Sequence, residues 1–152
     1  MLLFNCETQE EFEAEVVKSE FEKMDESGRF GFNWSKEAGN HIFKIVRKEI
    51  SNELALGLIS ISNHADELRI HIDLVENAEE NKGRTKKVDR VAGCLLAFAV
   101  GLSFEKGYLG FTSLVPKTEL IDLYVKNYGF TQYGRQLAID GNDAIKLIQK
   151  YL

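Results

Sequence analysis

The feature that most limits this chain is a nearly unbroken apolar run over residues 91–102, interrupted only by Gly93 and Gly101. Twelve residues fall short of the roughly 20 needed to cross a bilayer, so the run reads as a buried helix. Such a helix must be covered on several sides by other elements. At 152 residues the chain is long enough to supply them from one domain, expected to span 1–152. A composition of 44% hydrophobic and 28% charged residues with one proline excludes collagen-like, disordered and disulfide-framework classes.

Leu2, Leu3 and Phe4 have no basic region before them and acids after them, which is not a secretory pattern, so a cytoplasmic location is expected. Cys6 and Cys94 fit no CxxC or Cys/His ligand spacing and are expected to be reduced, with Cys94 packing inside the apolar run. His41, His64 and His71 are scattered, and the chain has no HExxH, EF-hand or Walker A motif. No metal is expected.

Charge is unevenly placed. The net charge is −5, but residues 1–26 carry nine acids against two lysines. Residues 82–90 reverse the sign, with Lys82, Arg84, Lys86, Lys87 and Arg90 against Asp89. A small basic cluster in an acidic protein suits a discrete anionic ligand better than a long nucleic-acid backbone, which meets a broader basic face.

Residues 9–24 place Phe12, Val16 or Val17, Phe21 and Met24 near helical spacing, which predicts one or two amphipathic helices. Gly28, Gly31 and Gly39, with Phe30, Phe32 and Trp34 between them, predict a loop that packs some side chains. Residues 41–48 and 54–62 read as an antiparallel strand pair turning at 50–53. Residues 68–74 alternate strictly between apolar and polar, the pattern of a strand with one buried face. After the basic loop come a helix over 90–106 stopped by Gly107, a strand over 108–115, a helix over 118–128 stopped by Gly129, a strand over 130–140 and a helix over 142–152 capped by Asn142. That order predicts an α+β or mixed α/β domain with an antiparallel front and a βαβ unit behind it.

A strand, a basic loop and a helix in succession make a phosphate site, because a helix start offers unpaired N–H groups and partial positive charge. Lys87, Val88, Asp89, Arg90, Val91 and Ala92, followed by Leu95 and Leu96, resemble the Q/R-x-x-G-x-G/A motif of the GNAT family, the acetyl-CoA-dependent N-acetyltransferases. Lys87 keeps the positive charge of the first position and Ala92 fits the last, while Arg90 stands where the family has glycine. Leu123, Tyr124, Lys126, Gly129 and Phe130 resemble the family's N-x-x-A-x-x-L-Y-E-K-x-G-F signature, with Lys117 in place of the frequent asparagine.

The resemblance implies a GNAT-like acyl-CoA N-acyltransferase fold, α+β, with a mostly antiparallel sheet, a central βαβ unit and flanking helices. It also implies acetyl-CoA as co-substrate and an amine acceptor, either a small molecule or a protein. Lys86, Lys87, Val88, Arg90, Val91, Ala92 and Gly93 would hold the coenzyme. Its pantetheine arm would lie where the strands over 68–77 and 108–115 splay apart. Tyr124 would serve the leaving thiolate, and Glu76, ahead of Asp73, would take the amine's proton. No nucleic acid or membrane is expected as partner, and a homodimer is compatible with the family. The competing reading is a non-catalytic GNAT-like domain that binds CoA or a protein partner.

Overall fold

The computed structural model describes residues 1–19, 28–50 and 54–152. The described strands are β1 (Leu2–Asn5), β2 (Glu10–Lys18), β3 (His41–Arg47), β4 (Gly57–His64), β5 (Arg69–Asn77), β6 (Val88–Asp89), β7 (Thr112–Leu114), β8 (Thr131–Tyr133) and β9 (Gln136–Ile139). The helices are α1 (Val91–Glu105), α2 (Ile121–Tyr128) and α3 (Gly141–Tyr151). The strands form one mixed sheet in the order β6-β1-β2-β3-β4-β5-β7-β9-β8. Every neighbouring pair is antiparallel except β5 and β7, which run parallel because α1 carries the chain between them. This is the expected mixed α/β architecture with its antiparallel front and βαβ unit.

The helix α1 is the buried element that its apolar run requires. Val91, Cys94, Leu95, Leu96, Ala97, Ala99 and Val100 are at most 1% exposed. They meet Ile59, Ile61, Ile70, Ile72 and Leu114 from the sheet and Ala144, Leu147 and Tyr151 from α3. A second cluster, Trp34, Ile42, Ala55 and Leu58 with Phe30 and Leu74, forms around the predicted aromatic loop. Gly107 follows α1 with φ +80° and Gly129 follows α2 with φ +82°, the left-handed conformation that ends a helix without a Cβ penalty. No helix among the described residues is long and apolar enough to cross a membrane.

Four expectations are corrected. The segment read as helical over 9–24 contains β2, whose Phe12, Ala14 and Val16 turn inward while Glu11, Glu13 and Glu15 are exposed. The operative period is two rather than 3.6, and β1 and β3 satisfy the backbone on both sides; residues 20–24 lie outside the described residues. The final strand over 130–140 is a β8–β9 hairpin turning at Gly134, φ +64°. The last helix begins at Gly141, so Asp140 rather than Asn142 takes the N-cap position. The strand expected over 108–115 is reduced to β7, because Leu109 (φ +57°) and Gly110 (φ +82°) form a turn. Gly110 is required there: a Cβ would fall 2.7 Å from both Ala144 Cβ and Phe104 Cε2.

Candidate active site

Parallel pairing of β5 with β7 runs only through Ile70, His71 and Ile72 and their partners Thr112, Ser113 and Leu114. β5 continues to Asn77, held by β4 on one edge, while β7 ends and the chain leaves through Pro116. The two strands therefore open into a cleft of about 310 Å³, walled by Leu74 and Val75 on one side and by Val115, Lys117 and Tyr124 on the other. Lys117 lies across its mouth, with Nζ 5.2 Å from the centre of the Phe32 ring.

A bulge sits at the point of divergence. Ser60 pairs with Leu74 and Ile61 with Ile72, so Asp73 is the unpaired extra residue of β5. Its exposed carboxylate lines the cleft, and Oδ2 accepts a 2.7 Å hydrogen bond from Ser62 Oγ. Ser62 Oγ lies 3.0 Å from His64 Nε2.

Glu76, by contrast, is committed elsewhere. Its Oε1 accepts from Phe32 N (3.1 Å) and Trp34 Nε1 (2.9 Å), and its Oε2 from Gly31 N (2.7 Å) and Lys82 Nζ (2.7 Å). Burial works to raise its pKa, yet these donors outweigh it and hold the carboxyl below its ordinary value. Four donors fill the lone pairs of both oxygens. Glu76 is the anchor of the aromatic loop.

Tyr124 is half-buried in the opposite wall, edge-on to Phe130 at 5.9 Å and tilted against Tyr128 at 5.8 Å. Burial raises its pKa, which keeps the phenol protonated. Among the described residues no hydrogen-bond partner takes up its hydroxyl.

The predicted phosphate loop closes the far end of β5. Cys94 N is the first helical amide bonded back, to Arg90 O, which leaves the N–H groups of Val91, Ala92 and Gly93 without helical acceptors. A second cavity of about 310 Å³ lies beside this helix start, bordered by Lys86, Ala92 and Tyr128. Asn81, missed by the sequence reading, organises the loop: Oδ1 accepts from Val88 N and Nδ2 donates to Leu56 O. The only signal was an asparagine ending an acidic pair.

The basic side chains of the loop divide. Lys86 pairs with Asp89 at 2.9 Å, and Lys82 pairs with Glu76 and Glu79. Arg90 adopts φ +77°, a left-handed backbone that favours glycine, and turns its guanidinium toward β1 and the end of α3. There Nε donates to Leu2 O (3.1 Å), Nη2 donates to Lys150 O (2.7 Å), and the group lies over the Tyr151 ring. Lys87 is exposed, with its main chain fixed by Cys6 N and Glu80 O. Cys94 is buried as expected, and burial pushes its thiol up to about 11.

No sequence-family model and no curated protein sequence matches this chain. Solved structures do resemble it. A crystal structure of AtaTR bound with AcCoA superposes with a TM-score of 0.62 at 11% identity, covering 88% of this chain and 97% of that one. AtaT complexed with acetyl-methionyl-tRNAfMet gives 0.61 at 9% identity, covering 90% and 99%. A bacterial toxin gives 0.61 at 8% identity, covering 91% and 97%. At these identities the likeness is one of fold: the chain has a mixed α/β, GNAT-like fold with a mostly antiparallel sheet, like that of AtaTR and AtaT.

Proposed function

We propose that this protein transfers an acetyl group from acetyl-CoA to an amine by direct attack. The observation that carries the reading is the cleft between β5 and β7, which places the bulged Asp73 and the hydroxyl-bearing Tyr124 on the walls of one cavity. The free edge of β5 would receive the pantetheine arm as an added strand. The pyrophosphate would meet the amides of Val91, Ala92 and Gly93, with Val88 and Lys86 behind them, Arg90 contributing its backbone and Lys87 its charge. The resemblance to AtaTR, a protein solved with AcCoA, supports this placement.

Asp73 is the better base, since Glu76 has no lone pair to spare. The ammonium gives one proton to Asp73, and the neutral nitrogen attacks the thioester carbonyl. The C–S bond breaks as the C–N bond forms, the departing thiolate takes the Tyr124 proton, and the second proton released by the acylated nitrogen returns through water to the Tyr124 phenolate. The acceptor remains a class rather than a compound. Because AtaT was solved with acetyl-methionyl-tRNAfMet, an aminoacyl-tRNA belongs in any acceptor panel beside small amines and lysine peptides.

A second reading, coenzyme binding without transfer, is favoured by the internal pairing of Lys86 and Arg90. The first test serves both. Acetyl-CoA at a hundredfold excess over Kd stabilises the fold by about 2.7 kcal/mol and raises Tm. No shift and no calorimetric heat at millimolar acetyl-CoA would remove both readings, whereas binding without acetylation across the panel would favour the second.

A further inference from the structure

We propose that Ser62 and His64 are the proton exit of Asp73, a pair of positioning residues on β4 serving a base on β5. The inference rests on the transferase reading of the cleft. It starts from the bulge: the extra residue brings Asp73 within hydrogen-bond reach of Ser62, one strand away. Donor and acceptor roles then follow by elimination. A carboxylate only accepts, so the single Ser62 hydrogen goes to Asp73 Oδ2 at 2.7 Å. Ser62 Oγ is then the acceptor for His64 Nε2 at 3.0 Å, and His64 carries its hydrogen on that nitrogen.

The neighbouring histidine does not compete. His71 Nδ1 lies 3.1 Å from Arg69 Nη1 and 2.8 Å from Ser113 Oγ. A guanidinium only donates, so this nitrogen is bare and already filled as an acceptor. The ring meets His64 edge-on at 6.0 Å. Other charged groups around the pair are Arg69, bound to Glu67, and Lys117, which shares the cleft wall with Asp73 and the neutral phenol of Tyr124. None of these touches Ser62.

The ammonium proton passes to Asp73, making the acid. The acid then donates to Ser62 Oγ as the Ser62 proton moves to His64 Nε2. Before this step His64 exchanges its Nε2 proton for one on Nδ1 through water, which leaves Nε2 free to accept. The resulting imidazolium then gives its Nδ1 proton to water and restores the Nε2-protonated resting ring. No oxidant or further reactant enters, and Asp73 is left as the carboxylate.

The test begins without substrate, with ¹⁵N NMR of the histidine rings in the full chain. The expected result is an Nε2-protonated His64 whose ring signals respond to Asp73→Asn, a response that disappears in the Ser62→Ala background. A His64 ring indifferent to Asp73→Asn overturns the proposal. The second arm measures turnover of acetyl-CoA with spermidine, a lysine peptide and methionyl-tRNA as probes. Ser62→Ala and His64→Gln are expected to lower kcat at least about tenfold, leave KM for acetyl-CoA unchanged and alter the pH profile. Glutamine can still donate to Ser62 but cannot carry a proton, so a His64→Gln variant with the parental kcat and pH profile also overturns the proposal. If the parent acetylates no probe, the transferase reading falls, and the NMR arm still decides whether Asp73 and His64 are linked.

Discussion

The Tyr151 ring occupies the space that a side chain on Gly93 would need. A Cβ there would lie 2.2 Å from Tyr151 Cε1 and 2.3 Å from Cζ. Arg90, with its guanidinium 4.8 Å from the centre of the same ring, also holds Lys150 O, so the last turn of α3 is clamped against the first turn of α1. The backbone proposed to receive the coenzyme phosphates is thus shaped by the end of the last helix.

Gly93→Ala should therefore cost about 1–3 kcal/mol, the usual range for overpacking a tight core. Urea unfolding measures it. Combined with Tyr151→Ala, which opens the space, the alanine should cost much less, giving a coupling energy of about 0.5–3 kcal/mol. Strictly additive losses would mean that the two residues do not meet.

Arg90→Gly and Lys87→Ala should separate cleanly in CoA affinity. Glycine keeps the left-handed backbone at position 90, where arginine bears about 1–2 kcal/mol of strain, and the lost guanidinium contacts only this chain's own carbonyls and ring. CoA affinity should stay nearly parental. Lys87→Ala removes an exposed charge, and losing a charge-assisted contact of about 1.5–3 kcal/mol weakens binding roughly 10- to 100-fold, less at high salt. Calorimetry that found an equal loss for Arg90→Gly would show the guanidinium moving onto phosphate.

Glu76 predicts an acid limb in stability. Its folded pKa lies below its ordinary value because the donors outweigh burial, so its contribution is complete above the unfolded value of about 4.3 and is lost as pH falls through the lower folded value. Glu76→Gln replaces one oxygen with an NH2 donor facing two of the four donors and should cost about 1–3 kcal/mol at pH 7. The difference from the parent should shrink in urea titrations toward pH 3, and a gap that stays constant would contradict the linkage.

The legible parts of the fold were those where one local rule acts alone. Strict alternation marked β5, the apolar run marked α1, and Gly107 and Gly129 marked two helix ends. β2 was obscured because Glu and Ala have low strand propensity, although Phe12, Ala14 and Val16 already alternate with Glu11, Glu13 and Glu15. The site was legible only in outline. Asp73 and Glu76 look alike in sequence, and only the three-dimensional course of the Gly31–Trp34 loop shows that one is filled by donors and the other is open. Ser62 and His64 carried no signal because their partner is set by a bulge, a register event that pairing decides.

Tyr124→Phe separates an enzyme from a coenzyme binder. The ring packs against Phe130 and Tyr128 through its carbon atoms, and phenylalanine keeps those contacts. The variant should fold, and should bind acetyl-CoA with an affinity close to the parent's. What it loses is a protonated hydroxyl on the cleft wall, which burial holds in the donor form. General acid catalysis typically contributes about 10²–10⁴-fold, and water can replace part of it, so turnover with any active amine should fall at least about tenfold while KM for acetyl-CoA is unchanged. Parental turnover would make Tyr124 a packing residue and assign the thiolate's proton to water. A rise in KM with kcat intact would mean instead that the hydroxyl holds bound coenzyme rather than the leaving group.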